Sequence, residues 1–171
     1  VRFSVHIEDR TGAGGKVVYS STGKDKVEFL ISPNPGEPYK RLAQIASGGE
    51  LSRIMLAIKS VLAESDHINS LIFDEVDAGI GGEVAIAVGE RLKRLARSKQ
   101  VLCITHLATI AAQADNHIKV QKVIQAGRTV TRVSPVTGLD RQQEVARMLA
   151  GDKTGDTSLK HAQELLNKYG V

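Results

Sequence analysis

Apolar and polar side chains alternate over residues 1–8, with the apolar ones at the odd positions. This is the period of a β-strand with one buried face. Residues 16–19 and 27–31 have the composition of further short strands, separated by a turn around Gly23. We therefore expect three consecutive antiparallel strands. The prolines of residues 33–38 then predict an irregular connector.

The pattern changes to helical spacing at residue 51, and a second helical run covers residues 83–97. Short, fully apolar runs at 71–73 and 101–104 suit strands inside a parallel sheet. Strand, helix and strand in this order predict a βαβ unit and hence an α/β fold. The positions expected to face inward are Leu51, Ile54, Met55, Ile58, Val61 and Leu62 in the first helix, and Val84, Val88, Leu92 and Leu95 in the second.

The remainder of the chain contains a predicted β-hairpin and three predicted helices. The hairpin turns at Gly127, and the last long helix carries apolar residues at core spacing. The predicted elements are a short helix at 107–114, strands at 117–124 and 128–133, and helices at 142–150 and 157–169.

The chain has 171 residues and a mass of 18.4 kDa, which suits one domain or one lobe of a larger one. A net charge of +4 permits contact with polyanions, although mild basicity is common. The single cysteine, Cys103, cannot form an internal disulfide, which favours a reducing compartment. No apolar run approaches the length of a membrane helix. Because Val1 stands where methionine is expected, we interpret the chain as a piece of a longer protein.

An acidic pair ends the apolar run at 71–73. Open α/β sheets bind ligands beyond the carboxyl ends of their strands, and Asp74 and Glu75 are placed at such an end. Side chains alternate along a strand, so the two carboxylates can take different roles. Asp74 can hold a hydrated Mg²⁺, while Glu75 can polarise an attacking water. The alternative is that both acids only end a strand or cap the next helix.

A serine–glycine run precedes the first long helix. Gly48 and Gly49 allow a ligand to approach the backbone closely, and a helix amino terminus offers free N–H groups to a phosphate. Ser47 adds a hydroxyl donor. The alternative is an ordinary capping box formed by Ser47 and Glu50.

Thr105 and His106 follow the strand predicted at 101–104 and should reach the same sheet edge as Asp74. An imidazole there can hydrogen-bond a phosphate or a catalytic water. The alternative is a purely structural histidine.

The glycine-rich stretch 12–16 departs from the phosphate-loop pattern G-x-x-x-x-G-K-[ST], because Arg10 replaces its first glycine and Val17 follows the lysine. We interpret this stretch as a turn.

Taken together, these motifs resemble the carboxyl-terminal half of an ABC-type ATPase head. The family's signature motif matches Ser47-Gly48-Gly49-Glu50, its Walker B motif Leu71 to Glu75, its D-loop Val76 to Gly79, and its switch histidine His106. Three longer strings, at 29–37, 45–53 and 73–82, resemble the bacterial DNA-repair ATPases that are related to SMC proteins. Ala46 and Glu50 depart from transporter signatures and point to this SMC-like branch.

The resemblance implies a homodimer of two heads that sandwich ATP, with Mg²⁺ as cofactor. Ser47, Gly48, Gly49 and Glu50 would contact the nucleotide of the partner head. The nucleotide of the same head would be served by Asp74, as the Mg²⁺ ligand through water, together with Glu75 and His106 as catalytic residues. Asp77 would cross the interface toward the opposite site. Arg53 would link the signature helix to the bound phosphate or to the neighbouring head.

The resemblance also implies what residues 1–171 lack. We expect the phosphate loop, the amino-terminal lobe that carries it and a coiled-coil arm to precede Val1, so the fragment should not hydrolyse ATP alone. The full protein would act in DNA double-strand break repair in the cytoplasm, on the nucleoid, without a membrane partner. Two alternatives stay open: an ABC transporter ATPase subunit, or a non-catalytic DNA-binding or dimerisation module that uses the basic residues Lys93, Arg94, Arg97 and Lys99.

Overall fold

The structure is a computed structural model that describes residues 2–32, 36–44, 47–151 and 155–169. The chain divides into two compact units, of which the first ends at Ser47 and the second begins at Gly48. Part of the predicted connector (33–35), and Ala46 of the signature string, lie outside the described residues.

The first unit is a three-stranded antiparallel sheet in the order β1-β2-β3. Its strands are β1 (Arg2–Asp9), β2 (Asp25–Ser32) and β3 (Lys40–Arg41), followed by a 3₁₀ turn at Leu42–Gln44. Strands β1 and β2 pair along their full length, from Arg2↔Ser32 to Asp9↔Asp25.

The prediction of a strand at residues 16–19 is wrong. This segment makes only an isolated bridge between Thr11 and Val17 and otherwise belongs to a long loop. The bond from Val18 N to Arg10 O (2.8 Å) and that from Gly12 N to Lys16 O (2.9 Å) form this single bridge, and the pairing does not extend into a strand. The third strand is β3 instead, which follows the predicted connector of residues 33–38. The interpretation of residues 12–16 as a turn is confirmed.

The second unit contains a βαβ arrangement. Strands β4 (Ser70–Phe73) and β5 (Gln100–Cys103) pair in parallel, from Ser70↔Gln100 to Phe73↔Cys103. The helices around them are α1 (Gly48–Val61), α2 (Gly82–Leu95) and the short α3 (Ala108–Ala111). One hydrophobic core joins these elements, and its buried members are Leu56, Phe73, Val76, Ala85, Val88, Leu92, Leu95 and Ile110. The predicted parallel α/β core is confirmed.

The inward faces of the two long helices differ in part from those predicted. In α1 the buried side chain is Leu56, while Leu51 and Met55 are exposed and Val61 keeps 84% of its surface in solvent. In α2 Val88, Leu92 and Leu95 are buried as predicted, but Val84 is exposed and Ala85 is buried in its place. The predicted helical period of α1 and α2 is therefore correct, whereas the face of each helix that is buried depends on its tertiary contacts.

The carboxyl-terminal part begins with a β-hairpin of β6 (His117–Gln125) and β7 (Arg128–Val136), as predicted. Its tip consists of Ala126 (φ 50°) and Gly127 (φ 74°), the left-handed pair of a type I′ turn. Helices α4 (Gly138–Ala150) and α5 (Asp156–Tyr169) follow and share a second core with Ala108.

A buried carboxylate connects the hairpin to α4. Glu144 is only 5% exposed. Its carboxylate accepts hydrogen bonds from Arg147 Nη2 (2.6 Å) and Nε (3.1 Å), and it forms an ion pair with Lys119 Nζ (2.6 Å). The Arg147 bonds, with help from Lys119, outweigh burial and lower the pKa of Glu144 to about 2.

We predict that Glu144→Gln lowers the free energy of unfolding of the chain by about 3 kcal/mol at pH 7, since a drop in pKa from 4.5 to about 2 corresponds to that amount. The ionised carboxylate stabilises the folded state fully above pH 4.5, and this contribution is lost as the pH falls toward 2. The difference from wild type in urea unfolding should therefore stay constant above about pH 5 and narrow below pH 4.5.

Glu164→Gln, on an exposed position of α5, is the matched control and should change stability by no more than about 0.5 kcal/mol. Equal losses for the two variants at pH 7 would contradict a stabilising role of the Glu144 cluster.

Candidate functional site

The acidic pair lies on a tight turn that begins where β4 ends. Asp74 Oδ1 accepts a hydrogen bond from Glu75 N (2.9 Å), and Glu75 O accepts one from Ala78 N (3.0 Å). Glu75 has φ 57°, a left-handed conformation that is uncommon for a residue with a side chain. Such backbone strain persists only where the surroundings impose it, and it is frequent at functional sites.

Two side chains near the amino end of helix α1 form hydrogen bonds with this turn. Ser52 Oγ donates to Asp74 O (2.6 Å), and Arg53 Nη1 donates to Val76 O (3.2 Å) and Ala78 O (2.8 Å). Together these bonds satisfy three carbonyls that no sheet or helix pairs. The geometry therefore ties the predicted signature helix to the predicted Walker B and D-loop residues of the same chain.

The two signature glycines lie directly against the turn. A Cβ atom on Gly49 would lie 2.8 Å from Ala78 Cβ and 2.9 Å from Glu75 O, so only glycine fits there. A Cβ atom on Gly48 would collide with the carboxylate of Glu75. The Glu75 side chain thus lies at the amino end of α1, where the helix offers free N–H groups.

A second strand end is joined to the turn by Asp77, which is 3% exposed. Its Oδ2 accepts hydrogen bonds from Thr105 Oγ1 (2.5 Å) and His106 N (2.9 Å), and His106 Nδ1 lies 3.0 Å away. Burial opposes ionisation of Asp77, but the bonds from Thr105 and His106 outweigh it and hold the pKa below its usual value.

The lone cysteine lies on β5, next to these acids. Burial, reinforced by the negative charges of Asp77 and Asp74, raises the pKa of the Cys103 thiol to about 11. The thiol stays protonated at neutral pH, so it is a packing residue rather than a nucleophile.

Most of the predicted site residues meet at this one edge of the β4–β5 sheet. Gly48, Gly49 and Arg53 contact the turn 74–78, and His106 is bound to Asp77. Glu50 is exposed on the first turn of α1. Ser47 closes the first unit and is exposed there. The catalytic, nucleotide, interface and metal roles assigned to these residues stay predictions.

The sequence did not single out Ser52 as a site residue, nor the bond from the Thr105 hydroxyl to Asp77. Ser52 follows the signature run directly and stands beside Arg53. The only sequence signal for a role of Ser52 in the site is that it forms a polar pair with Arg53. This pair lies just inside a helix that starts next to a strand end.

Comparison with known proteins finds close relatives of the chain. The chain is 57% identical over 165 residues, 96% of its length, to the DNA repair protein RecN of Treponema pallidum. It is 48% identical over 155 residues to RecN of Bacillus subtilis and 54% identical over 144 residues to RecN of Deinococcus radiodurans. It spans only 29%, 27% and 25% of these relatives, respectively. No family model matches the chain.

Solved SMC head structures share the fold. One, from a study of ATP-driven dimerisation and DNA-stimulated activation of SMC ATPases, matches 74% of the chain and 75% of its own length with a TM-score of 0.51 and 22% identity. The Smc head domain of Pyrococcus yayanosii, with its coiled coil and joint, matches 84% of the chain and 25% of its own length, with a TM-score of 0.58 and 23% identity. These structures confirm the predicted fold class, and the RecN relatives confirm the predicted family of bacterial DNA-repair proteins.

We predict that the two signature glycines differ in their tolerance of alanine. Gly49→Ala should lower the free energy of unfolding by about 1–3 kcal/mol, because its methyl group meets backbone and a fixed Cβ. Gly48→Ala should change it by less than about 1 kcal/mol, because its methyl group meets only the end of the flexible Glu75 side chain and alanine favours the helix. Urea unfolding of both variants is the measurement.

Proposed function

Because the chain belongs to the RecN family of DNA-repair proteins, we propose that it is the signature- and Walker B-bearing lobe of an ATP-hydrolysing head. In this proposal the full-length head dimerises on ATP and acts in the repair of DNA double-strand breaks. The observation that carries the proposal is the convergence of the α1 start, the acidic turn and His106 at one sheet edge.

Glu75 has the position of a general base. It follows the last residue of β4 by two positions, and the strained turn holds its side chain outside the core, where a water can reach it. A carboxylate that accepts a proton from an attacking water contributes about 10²–10⁴-fold in rate. His106, with 73% of its side chain exposed beside the same turn, can hydrogen-bond that water or a phosphate oxygen.

Asp74 fits the Mg²⁺ that accompanies ATP. It is exposed at the end of β4, and oxygen ligands from one carboxylate, waters and phosphates suit this ion. Within the described ranges no group of three or more His, Cys, Asp and Glu residues could hold a metal, so Asp74 would bind the ion through water and together with the nucleotide. Bound there, Mg²⁺ would neutralise charge that develops on the phosphates.

The signature residues would contact the nucleotide that is bound to the partner head. The free N–H groups at the start of α1, next to Gly48 and Gly49, suit a terminal phosphate, with Ser47 as a further donor and Glu50 at the rim. Arg53 already bonds Val76 O and Ala78 O, so it would transmit a displacement of the helix start directly to the D-loop. This linkage supports a dimer in which closing on ATP sets the geometry of the acids.

A further lobe would complete the head. Ile72, Leu102 and Ile104 line the β4–β5 strands and keep 71%, 44% and 59% of their surface exposed. Parallel sheets are ordinarily covered on both faces. With the chain spanning under a third of its relatives' length, these side chains support an amino-terminal lobe that covers the sheet and supplies the phosphate loop.

We place the binding of DNA in the full-length protein, in the cytoplasm, rather than on the predicted basic patch of Lys93, Arg94, Arg97 and Lys99. Lys93 Nζ donates to Tyr169 O (2.6 Å) and Lys99 Nζ donates to Asp66 O (2.5 Å), so two members of the predicted basic patch already have internal acceptors.

Among the described residues, no helix has the length and apolar character that crossing a lipid bilayer demands.

We predict that Glu75→Gln in the full-length protein lowers the rate of ATP hydrolysis by at least about 100-fold, because the amide cannot accept the proton of the attacking water. ATP binding should persist, so the variant should accumulate as an ATP-dependent dimer. Steady-state phosphate release and sedimentation velocity with and without ATP are the measurements.

Glu64→Gln, an exposed carboxylate after α1, is the matched control and should leave both readings as in wild type. Unchanged hydrolysis in Glu75→Gln would contradict the enzymatic role of this turn. Loss of ATP binding together with hydrolysis would assign Glu75 to nucleotide binding instead of base catalysis.

A further inference from the structure

The sheet of the first unit has two chemically different faces. Residues that lie opposite each other in the β1–β2 pairing share a face, and successive residues of a strand alternate between the faces. One face is apolar, and its members on the two strands are Phe3, Val5, Ile7, Val27, Phe29 and Ile31. The other face is mostly polar, and its members are Arg2, Ser4, His6, Glu8, Lys26, Glu28, Leu30 and Ser32.

The apolar face is the side of this sheet that suits packing against other protein. Phe3, Val5, Ile7, Val27 and Phe29 keep 46–62% of their surface exposed. An antiparallel sheet ordinarily buries one face and leaves the other in water. The chain spans under a third of the length of its relatives, so the rest of the full-length protein can supply the cover. The polar face is then the one that stays in solvent.

The polar face carries more positive than negative charge. Its lysines, arginines and carboxylates on the three strands are Arg2, Glu8, Lys26, Glu28 and Arg41. Both carboxylates are paired, since Glu8 Oε1 lies 2.8 Å from Lys26 Nζ and Glu28 Oε2 lies 3.2 Å from Arg41 Nε. Arg2 Cζ lies 5.4 Å from the centroid of the Tyr39 ring. Within the described ranges no carboxylate forms an ion pair with Arg2, so its charge is not neutralised.

The loop that joins β1 to β2 is ordered without a core of its own. Residues 10–24 are all exposed, yet the loop folds on itself through bonds such as that from Val18 N to Arg10 O (2.8 Å). Loops of this length are uncommon in compact domains and are usually functional. Residues 10–24 contain no Asp or Glu, and Lys24 at the end of the loop pairs with Asp9 of β1 (2.8 Å). The composition of the loop suits a negatively charged partner.

Two cations of the loop extend the polar face. The bridge between Thr11 and Val17 places their neighbours Arg10 and Lys16 together on the other side, because side chains alternate along both segments. Gly12 lies opposite Lys16 and has no side chain, so the backbone between the two cations is open to a ligand. In the described part of the chain neither Arg10 nor Lys16 forms an ion pair.

We propose that this surface, the cationic face of Arg2, Arg10, Lys16, Lys26 and Arg41, binds the phosphate backbone of duplex DNA in the full-length protein. A strand of eight residues spans about 26 Å at about 3.3 Å per residue, and each strand of DNA carries a phosphate about every 3.4 Å along the helix axis. The face is therefore long enough to follow several phosphates. Contacts to phosphate carry no sequence information, so the binding is independent of base sequence. The inference rests on the proposed function for the choice of DNA as the polyanion.

The first test measures the affinity of the full-length protein for duplex DNA over a range of salt concentrations. The double variant Arg10→Ala/Lys16→Ala removes two phosphate contacts, so the slope of log K against log salt should become shallower by about 2, and the affinity should fall by at least about 5-fold. The loss should be equal on duplexes of unrelated sequence. Both side chains are exposed, so the fold should be kept, which circular dichroism checks.

The matched control is Lys122→Ala/Arg128→Ala on the β6–β7 hairpin, which removes one lysine and one arginine from exposed positions. It should leave the affinity and the salt slope as in wild type. Equal losses in the two double variants, or an unchanged slope in Arg10→Ala/Lys16→Ala, would overturn the proposal.

The second test separates DNA from an acidic protein partner. Sedimentation velocity without DNA, in the presence and absence of ATP, should give the same species for wild type and for Arg10→Ala/Lys16→Ala. An altered assembly together with normal DNA affinity would make the cationic face a docking surface for an acidic protein segment and reject the DNA contact.

The two proposals fail separately. Without DNA, Arg10→Ala/Lys16→Ala should hydrolyse ATP at the wild-type rate, because neither residue belongs to the candidate site. Unchanged hydrolysis in Glu75→Gln rejects the proposed ATPase even where the DNA affinity of the loop variant falls as expected. Loss of hydrolysis in Glu75→Gln, combined with normal DNA affinity in Arg10→Ala/Lys16→Ala, rejects the role of the cationic face alone.

Discussion

The turn that follows β4 depends on its attachment to the first turns of α1. Its carbonyls at Asp74, Val76 and Ala78 have no partners in a sheet or helix and would be left without hydrogen bonds. Ser52 and Arg53 supply those bonds. The close approach that makes them possible requires glycine at position 49. This attachment adds to the bonds within the turn, from Glu75 N to Asp74 Oδ1 and from Ala78 N to Glu75 O, that maintain the left-handed conformation of Glu75.

Asp77 extends this constraint to the second strand. Its backbone belongs to the turn, but its side chain is bound to Thr105 and His106 beyond β5. The start of α1, the end of β4 and the end of β5 therefore form one connected network of hydrogen bonds. The five-residue turn 74–78 contains Glu75 and holds His106 through Asp77, so a displacement of the start of α1 would reach both residues. Coupling of this kind needs no long pathway, only a continuous set of contacts.

The sequence predicts part of this fold, and there are physical reasons why it does not predict the rest. Strands β4 and β5 are predictable because a short apolar run that ends abruptly in polar residues has few other solutions. Residues 16–19 were misassigned because local composition cannot show whether a partner strand is present. Leu56 was missed because the period of a helix fixes its repeat, whereas its neighbours fix which face is covered.

The candidate site shows the same division. Motif spacing predicts Gly48, Glu75 and His106 as candidate site residues, since the residue type of each and its place beside a strand or helix end indicate the chemistry that it could perform. The contacts of Arg53 join positions that are 23 and 25 residues apart, and those of Thr105 span 28. Separations of that size carry no local signal. The cis attachment of Arg53 and the Asp77–His106 pair could be found only in the folded chain.

Under the proposed function, the charges of this network would make the lobe depend on phosphate contacts from elsewhere. Glu75, Asp74 and Asp77 all place negative charge at the edge where a triphosphate would bind, and like charges repel. The cationic side chain within the network, Arg53, already bonds two backbone carbonyls. Backbone N–H groups at the start of α1 remain, and the carboxylate of Glu75 lies beside them. Under the proposed function, a phosphate that binds beside Gly48 would displace that carboxylate, so phosphate binding at the signature glycines would also release the side chain of Glu75.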